Sequence, residues 1–528
     1  MSVQQLTFQE LIRLRARDNG SAPFCFFEER TMTFQELDAS IGQMAAALEQ
    51  GGVRPGDRVA LMLPNCLEHI ALFFALSWIG AIAVPVSIHL RKSGLALQLG
   101  SSMPQHVVAD ASYDELAQAL PSAASVKSVI WHGDAVPEGI HGGRHALLSE
   151  LSIQAEAIPR NAAAQGSLDQ ICAISYTSGT TGAPKGAMLN QRWFQIGARN
   201  AGILADVRPS DMLFLWEPFY HVAGWMTVLI CLQHAVPMAM VEKFSASSCW
   251  QQISRHKATL FHYLGGAMNL LLKQPRKPDD GNNPIRIAWG AAAPAHSWRE
   301  FESRFNLRIR EGYGITEAGN FTMLNLDGPV GSIGKPVEEF DAWIENSEGQ
   351  RAAPGETGEI VLRPKIPGIT MNGYFNDPER SAEVLRDGCV YTGDLGYQDA
   401  SGYFYFSGRK KEALRRRGEN VSAWEVERII NAHADVEESA VIGVASEMGE
   451  QDILAFIKPA LGKTVQPLHI IRWCEEHLAY YQIPRYVRVV NDFPRGPTQR
   501  IRKTELPSDI REAWDFESSG EKSRAHRI

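Results

Sequence analysis

The sequence predicts an α/β protein: a large N-terminal domain of two layered α/β subdomains with a small β-barrel-like subdomain, followed by a small α+β C-terminal domain. Three observations predict this. The 528 residues exceed what one hydrophobic core supports. Up to about residue 400, helix-like stretches alternate with short apolar strands. After Gly331 the texture changes to short strands divided by turn signals, and from Gly408 a basic run opens a last stretch of mixed helices and strands.

In chain order, Phe34 to Gln50 reads as a helix: Thr33 precedes it with Glu36 three positions on, a capping-box spacing, and Gly51-Gly52 ends it. A strand follows from Val59 to Leu63. The uncharged run Ile70 to Ile88 approaches the length of a membrane span, but Gly80 and Pro85 divide it into a buried helix, a turn and a core strand. Val222 to Val241 repeats the arrangement, so the layers are duplicated and the protein is not integral to a membrane. Turn signals at Pro354-Gly355, Thr357-Gly358, Asn376-Asp377-Pro378 and Ser401-Gly402 punctuate the barrel-like part. The domains are read as 1–408 and 409–528, with a flexible polar tail after about 516.

Composition bounds the partners. Formal charge is -8 from 52 basic and 60 acidic side chains, which excludes an electrostatic nucleic-acid binder and favours a small-molecule substrate. The seven cysteines form no CxxC pair of the kind that announces zinc or redox chemistry, and the N-terminus lacks the pattern of a secretory signal, so a cytoplasmic protein with reduced thiols is expected.

The segment Ile174 to Asn190, ISYTSGTTGAPKGAMLN, runs a β-branched strand into hydroxyls and glycines followed by Lys185. Glycines admit an anion close to the backbone, N–H and hydroxyl groups donate to phosphate oxygens, and the lysine supplies charge. A Walker A loop is excluded, because Gly179 and Gly182 have the wrong spacing and Gly186 follows Lys185. A plain Ser/Thr/Gly turn is the alternative. Thr177 to Gly186 matches throughout the signature of the adenylate-forming superfamily, and the chain resembles that family, which includes acyl-CoA synthetases, luciferases and the adenylation domains of peptide synthetases.

The resemblance implies an ATP-dependent acyl-CoA ligase using Mg2+ and coenzyme A. Thr177, Ser178, Gly179, Thr180, Thr181, Gly182 and Lys185 would wrap the ATP phosphates. In EGYGITEAG, Tyr313 and Gly314 would face adenine, Thr316 the phosphates and Glu317 the metal; magnesium takes one or two carboxylates beside phosphate oxygens. In WGAAAP, small residues Gly290, Ala291 and Ala292 would leave a flat slot for adenine. Asp394 would accept both ribose hydroxyls, with Arg409 as a second contact and Lys411 as the hinge of a mobile C-terminal lid. Arg415, Gly418, Glu419 and Asn420 would line the thiolation site; for Arg415 to Arg417 a solvated helix face is the alternative.

The acyl pocket is expected among Phe219, Tyr220, His221, Trp225, Gly265 and Trp289, with PFYHVAG resembling the family's aromatic gate and no obvious buried acid in the walls. That lining suits a mid-sized or cyclic hydrophobic acid. MLPNCLEHI, VEKFSAS and RRGENVSAWEVE are similar to the branch of bacterial ligases grouped with carnitine and crotonobetaine activation. One departure stands out. Where the family carries a catalytic lysine near its C-terminus, PRGPTQRIRK places Arg500, with Lys503 behind it. Arg500 is expected to take the lysine's role, although a guanidinium fork differs from an ammonium in reach and geometry; the alternatives are Lys503 redirected into the site or an enzyme weak in the first half-reaction. Competing readings are a stand-alone adenylation enzyme that loads a carrier protein, a luciferase-like oxygenase and a nucleotide-binding pseudo-enzyme. A homodimer is admissible.

Overall fold

The computed structural model describes residues 3–90, 92–113, 115–138, 143–154, 166–177, 185–410, 413–416, 419–446, 451–495 and 501–521. Two compact units divide the chain. One comprises Met1–Ser178, Ala183–Ala342 and Leu362–Val390; the other contains Trp343–Val361 and Tyr391–Ile528.

The first unit holds two large sheets, the duplicated layers expected. In the seven-stranded one the order is Arg144–Leu147, Ser128–His132, His106–Asp110, Arg58–Met62, Ile82–Pro85, Ile171–Thr177 and Lys185–Asn190. All its pairings are parallel except the last. In the nine-stranded one the order is Lys335–Pro336, Met323–Asn325, Arg308–Tyr313, Ile287–Ala291, Leu260–Leu264, Leu213–Leu215, Met238–Met240, Pro23–Phe27 and Arg30–Thr33. Its centre is parallel and its ends antiparallel.

Local chemistry explains the elements. Helix Phe34–Gln50 carries the capping box: the Thr33 hydroxyl accepts from Glu36 N–H, while the Glu36 carboxylate accepts from Thr33 N–H at 2.7 Å. The chain leaves that helix through Gly52 at φ 99°, a conformation glycine enters without steric cost. The apolar run resolves as expected into helix Leu67–Trp78, a turn at Gly80 and strand Ile82–Pro85. Helix Val222–His234 and strand Met238–Met240 repeat it. Among the described residues no helix is long and apolar enough to cross a membrane. Every residue of Leu67–Trp78 but Glu68 is buried, so a charge-free stripe all round reflects a helix covered on all sides.

The short strands after Gly331 form a five-stranded sheet, Phe340–Glu345, Gly358–Pro364, Cys389–Gln398 and Leu385–Arg386 in order, with Phe404–Arg409 paired to Cys389–Gln398. In the second unit a four-stranded sheet, Val436–Ala445, Gln451–Pro459, Tyr486–Val489 and Trp514–Asp515, packs with helices Ala423–Asn431 and Pro467–His477 around Val426, Ile430, Ile453, Ile470 and Ile471. Phe516 is buried in that core, and beyond it Glu517 meets Arg485 at 3.2 Å and Glu521 meets Arg472 at 2.8 Å. Arg415 and Arg416 lie on strand Ala413–Arg416, not on a helix face, and Arg416 is buried against Asp452 at 3.2 Å. All seven cysteines are free and buried.

Candidate active site

Strands Ile171–Thr177 and Lys185–Asn190 form an antiparallel hairpin in which Thr177 is the register partner of Lys185. The two ends of the glycine-rich segment are therefore clamped side by side. Ser178, Gly179, Thr180, Thr181 and Gly182 lie outside the described residues.

Lys185 stands 5.0 Å from the centre of the Tyr374 ring, within reach of a cation–π attraction. The hydroxyl of the same tyrosine donates to Glu317 Oε1 at 2.6 Å. One aromatic side chain thus joins the lysine and the carboxylate that the motifs assigned to phosphate and metal. Glu317 sits on a single turn, Thr316–Ala318, pinned from two directions: Met371 N–H donates to the Glu317 carbonyl at 3.1 Å, and Trp193 Nε1–H to the Thr316 carbonyl at 3.0 Å. A half-buried carboxylate with its second oxygen still available suits a magnesium ion whose other ligands are phosphate oxygens and water.

The adenine-slot residues sit on neighbouring parallel strands. Gly290 on Ile287–Ala291 is the register partner of Tyr263, and Tyr313 ends strand Arg308–Tyr313, buried. Small residues are required here. A Cβ on Gly265 would lie 2.1 Å from the Ala292 carbonyl oxygen, and one on Gly314 would lie 0.9 Å from that of Asn320. Ala292 holds φ 65°, an uncommon left-handed conformation for a residue with a Cβ. Glu311 fastens it, accepting the N–H of Ala292 at 2.6 Å and of Ala293 at 3.1 Å and the hydroxyl of Tyr263. Burial pushes the Glu311 carboxyl up to about 8, against the pull of those three donors.

Phe219, Tyr220 and His221 follow strand Leu213–Leu215, and His221 caps helix Val222–His234 by accepting Ala223 N–H on Nδ1 at 3.2 Å, which leaves the ring proton on Nε2. Trp225 packs between Phe73 at 3.8 Å and Phe219 at 4.5 Å, and its indole N–H donates to the Phe219 carbonyl at 2.8 Å. Asn65 ties the segment to the other sheet: its amide donates to the Glu217 carbonyl at 2.9 Å and accepts Phe219 N–H at 3.2 Å. Trp289 is fully buried, 4.4 Å from the His262 ring. Two acids are buried in this part of the fold. Glu217 and Glu311 are both buried, the Glu217 carboxyl hydrogen-bonded to the His262 ring. Composition cannot show this, because each acid is hydrogen-bonded by a residue about 20 to 50 positions away, which is how a buried carboxyl survives.

In the second unit Asp394 and Arg409 are register partners on strands Cys389–Gln398 and Phe404–Arg409, with Arg409 Nε 2.6 Å from Asp394 Oδ1. The neighbouring Glu359 accepts Gly393 N–H at 3.0 Å and meets Lys410 at 2.8 Å. Arg415 is the register partner of Asn420 across a two-stranded ribbon that also holds Glu419. Lys503 meets Glu427 at 2.8 Å. Lys411, Gly418 and Arg500 lie outside the described residues. Tyr374, Glu311 and Asn65 were not singled out from sequence. Glu311 opens the EGYGITEAG string and was the one with a visible signal, an acid at the head of a nucleotide motif.

Comparison with known proteins fits this geometry. A crotonobetaine/carnitine-CoA ligase of Salmonella paratyphi A is 30% identical over 494 residues, 90% of this chain and 93% of that protein. Among solved structures, o-succinylbenzoate CoA synthetase (MenE) from Bacillus subtilis, in complex with an acyl-adenylate intermediate, has a TM-score of 0.83 at 25% identity, covering 96% of this chain and 99% of that one. ATP-bound MatB from Rhodopseudomonas palustris has a TM-score of 0.82 at 26% identity, covering 94% and 98%. The AMP-binding enzyme model matches residues 12–375 and the AMP-binding enzyme C-terminal domain model residues 425–500. With its clamped hairpin, its pinned Glu317 and its strapped Ala292 all inside the first of those spans, the chain belongs to the AMP-binding enzyme family.

Proposed function

We propose that this protein is an ATP-dependent acyl-CoA ligase for a mid-sized or cyclic hydrophobic acid, or a carnitine-like one. A carboxylate oxygen attacks the α-phosphorus of ATP, the bond to pyrophosphate breaks, and an acyl-adenylate forms. The sulfur of coenzyme A then attacks the acyl carbon and AMP leaves with the acyl C–O electron pair. The observation that carries the reading is the Lys185–Tyr374–Glu317 arrangement, in which one side chain contacts both a cation and the carboxylate we assign to the metal.

Catalysis in the first step is electrostatic. Lys185 and Thr316 face the phosphates, Glu317 would hold magnesium, which neutralises phosphate charge when bound, and Arg500 with Lys503 supplies positive charge from the C-terminal part. Asp394 and Arg409 are assigned to ribose, and Arg415, Gly418, Glu419 and Asn420 to the thiolation step. The working domains are 1–408 and 409–528 with Lys411 as hinge. Two solved structures of one similar protein, MenE from Bacillus subtilis, carry the ligands this scheme needs, ATP with magnesium in one and an acyl-adenylate in the other. Supply of ATP and coenzyme A, and seven free thiols, favour the cytoplasm.

The test is AMP formation with coenzyme A across short-chain, aryl, quaternary-ammonium and steroid-derived acids. A hydrophobic or carnitine-like acid that drives it supports the proposal. Pyrophosphate release that accelerates with a phosphopantetheinyl carrier and not with coenzyme A would overturn it.

A further inference from the structure

Three neighbouring parallel strands of the seven-stranded sheet, Arg58–Met62, His106–Asp110 and Ser128–His132, end at one edge. The carboxyl edge of a parallel sheet is where α/β proteins place ligands. The segment after the first strand brings Cys66, the N-cap of helix Leu67–Trp78, and Glu68 in its first turn. The second strand ends in Asp110 and the third in His132, and these two are register partners. The Cys66 sulfur, a Glu68 carboxylate oxygen and a His132 ring nitrogen all lie within 4.8 Å of one another.

The surroundings are those of a metal-binding imidazole. Asp110 Oδ2 stands 3.0 Å from His132 Nδ1, which fixes that ring proton and leaves the lone pair on Nε2. Cys66 is buried at the head of that helix. Arg30 meets Glu68 through Oε1 at 2.8 Å, and a carboxylate has a second oxygen to give.

We propose that Cys66, Glu68 and His132 bind a divalent cation of the zinc type, with water completing a tetrahedron and Asp110 as the outer partner of the imidazole. Thiolate and imidazole select zinc over the magnesium that serves nucleotides, and one thiolate with one carboxylate neutralises its charge. Binding displaces the thiol proton to solvent. The site is separate from Glu317. Its role is positional, because the residue before Cys66 is Asn65, whose amide holds Glu217 and Phe219. An ion here staples the segment that anchors the PFYH aromatics.

The experiment titrates the full-length, metal-stripped protein with Co2+ and measures zinc retained after dialysis. The expected result is a thiolate-to-cobalt charge-transfer band in the near ultraviolet, one zinc equivalent retained, and a zinc-dependent rise in melting temperature. All three should vanish in Cys66→Ser and His132→Gln, while Asp110→Asn lowers affinity about 10–100-fold. A wild-type protein without the band or bound zinc overturns the proposal, as does undiminished binding in both ligand variants. The outcome is independent of the ligase reading, which the acid panel tests separately.

Discussion

Glu311 and Ala292 are joined by a hydrogen bond of 2.6 Å in which a buried carboxyl group holds a left-handed backbone residue in place. Cutting it frees the wall of the adenine slot. Glu311→Ala leaves the N–H groups of Ala292 and Ala293 without an acceptor, each costing about 1–3 kcal/mol. The expected result is a KM for ATP raised about tenfold or more, measured by steady-state kinetics at saturating acid; an unchanged KM would count against the strap.

The same carboxyl sets a pH dependence. Its folded-state pKa is raised by burial from an ordinary 4.5 to about 8, so the native protein keeps a proton that the unfolded chain releases. The stability Glu311 contributes is therefore complete below 4.5 and is lost as pH rises towards about 8. Denaturant unfolding across that window should show wild type losing stability relative to Glu311→Gln. A constant difference between the two would refute the shift.

Tyr374 has two jobs that substitution separates. Tyr374→Phe keeps the ring beneath Lys185 and removes the hydroxyl that orients Glu317, a charge-assisted bond of about 1.5–3 kcal/mol. Tyr374→Leu removes both. Carboxylate-dependent exchange of labelled pyrophosphate into ATP should fall about tenfold or more in the first and further in the second. Glu317→Gln is expected to fall about 10²–10³-fold.

The buried Glu217–His262 pair is a stability element. Removing one partner leaves the other without its hydrogen bond, so Glu217→Leu should cost about 1–3 kcal/mol, whereas Glu217→Leu with His262→Phe should recover part of that loss. Chemical denaturation of the double-mutant cycle reads the coupling directly; strictly additive costs would show that the two side chains do not act together.

Arg500→Ala should slow adenylation while leaving thiolation of a supplied acyl-adenylate nearly intact. Single-turnover measurement of each half-reaction tests this, and equal loss in both would exclude a role confined to the first step.

Where a signal is local, the residues foretold the fold. The Thr33–Glu36 capping box, the break at Gly80 and the repeat at Val222 each depend on neighbours within a few positions, and each appears as expected. Parts of the site obey other rules. Glu311 meets Ala292, and Cys66 approaches His132, only because parallel strands bring their carboxyl ends to one edge. Sequence spacing carries no trace of those meetings. Tyr374 escaped notice because a turn string such as MNGYFNDP looks merely structural until its partner Glu317 is seen.

Strand Pro23–Phe27 pairs in parallel with Met238–Met240, Cys25 opposite Met238. During synthesis the amino-terminal ribbon emerges long before its neighbour exists. Until Met240 clears the ribosome, an apolar strand with one unsatisfied edge must wait, its other edge covered by its hairpin mate Arg30–Thr33. The nascent chain is therefore a natural chaperone client over that interval, and pausing translation before this point would favour aggregation over productive folding.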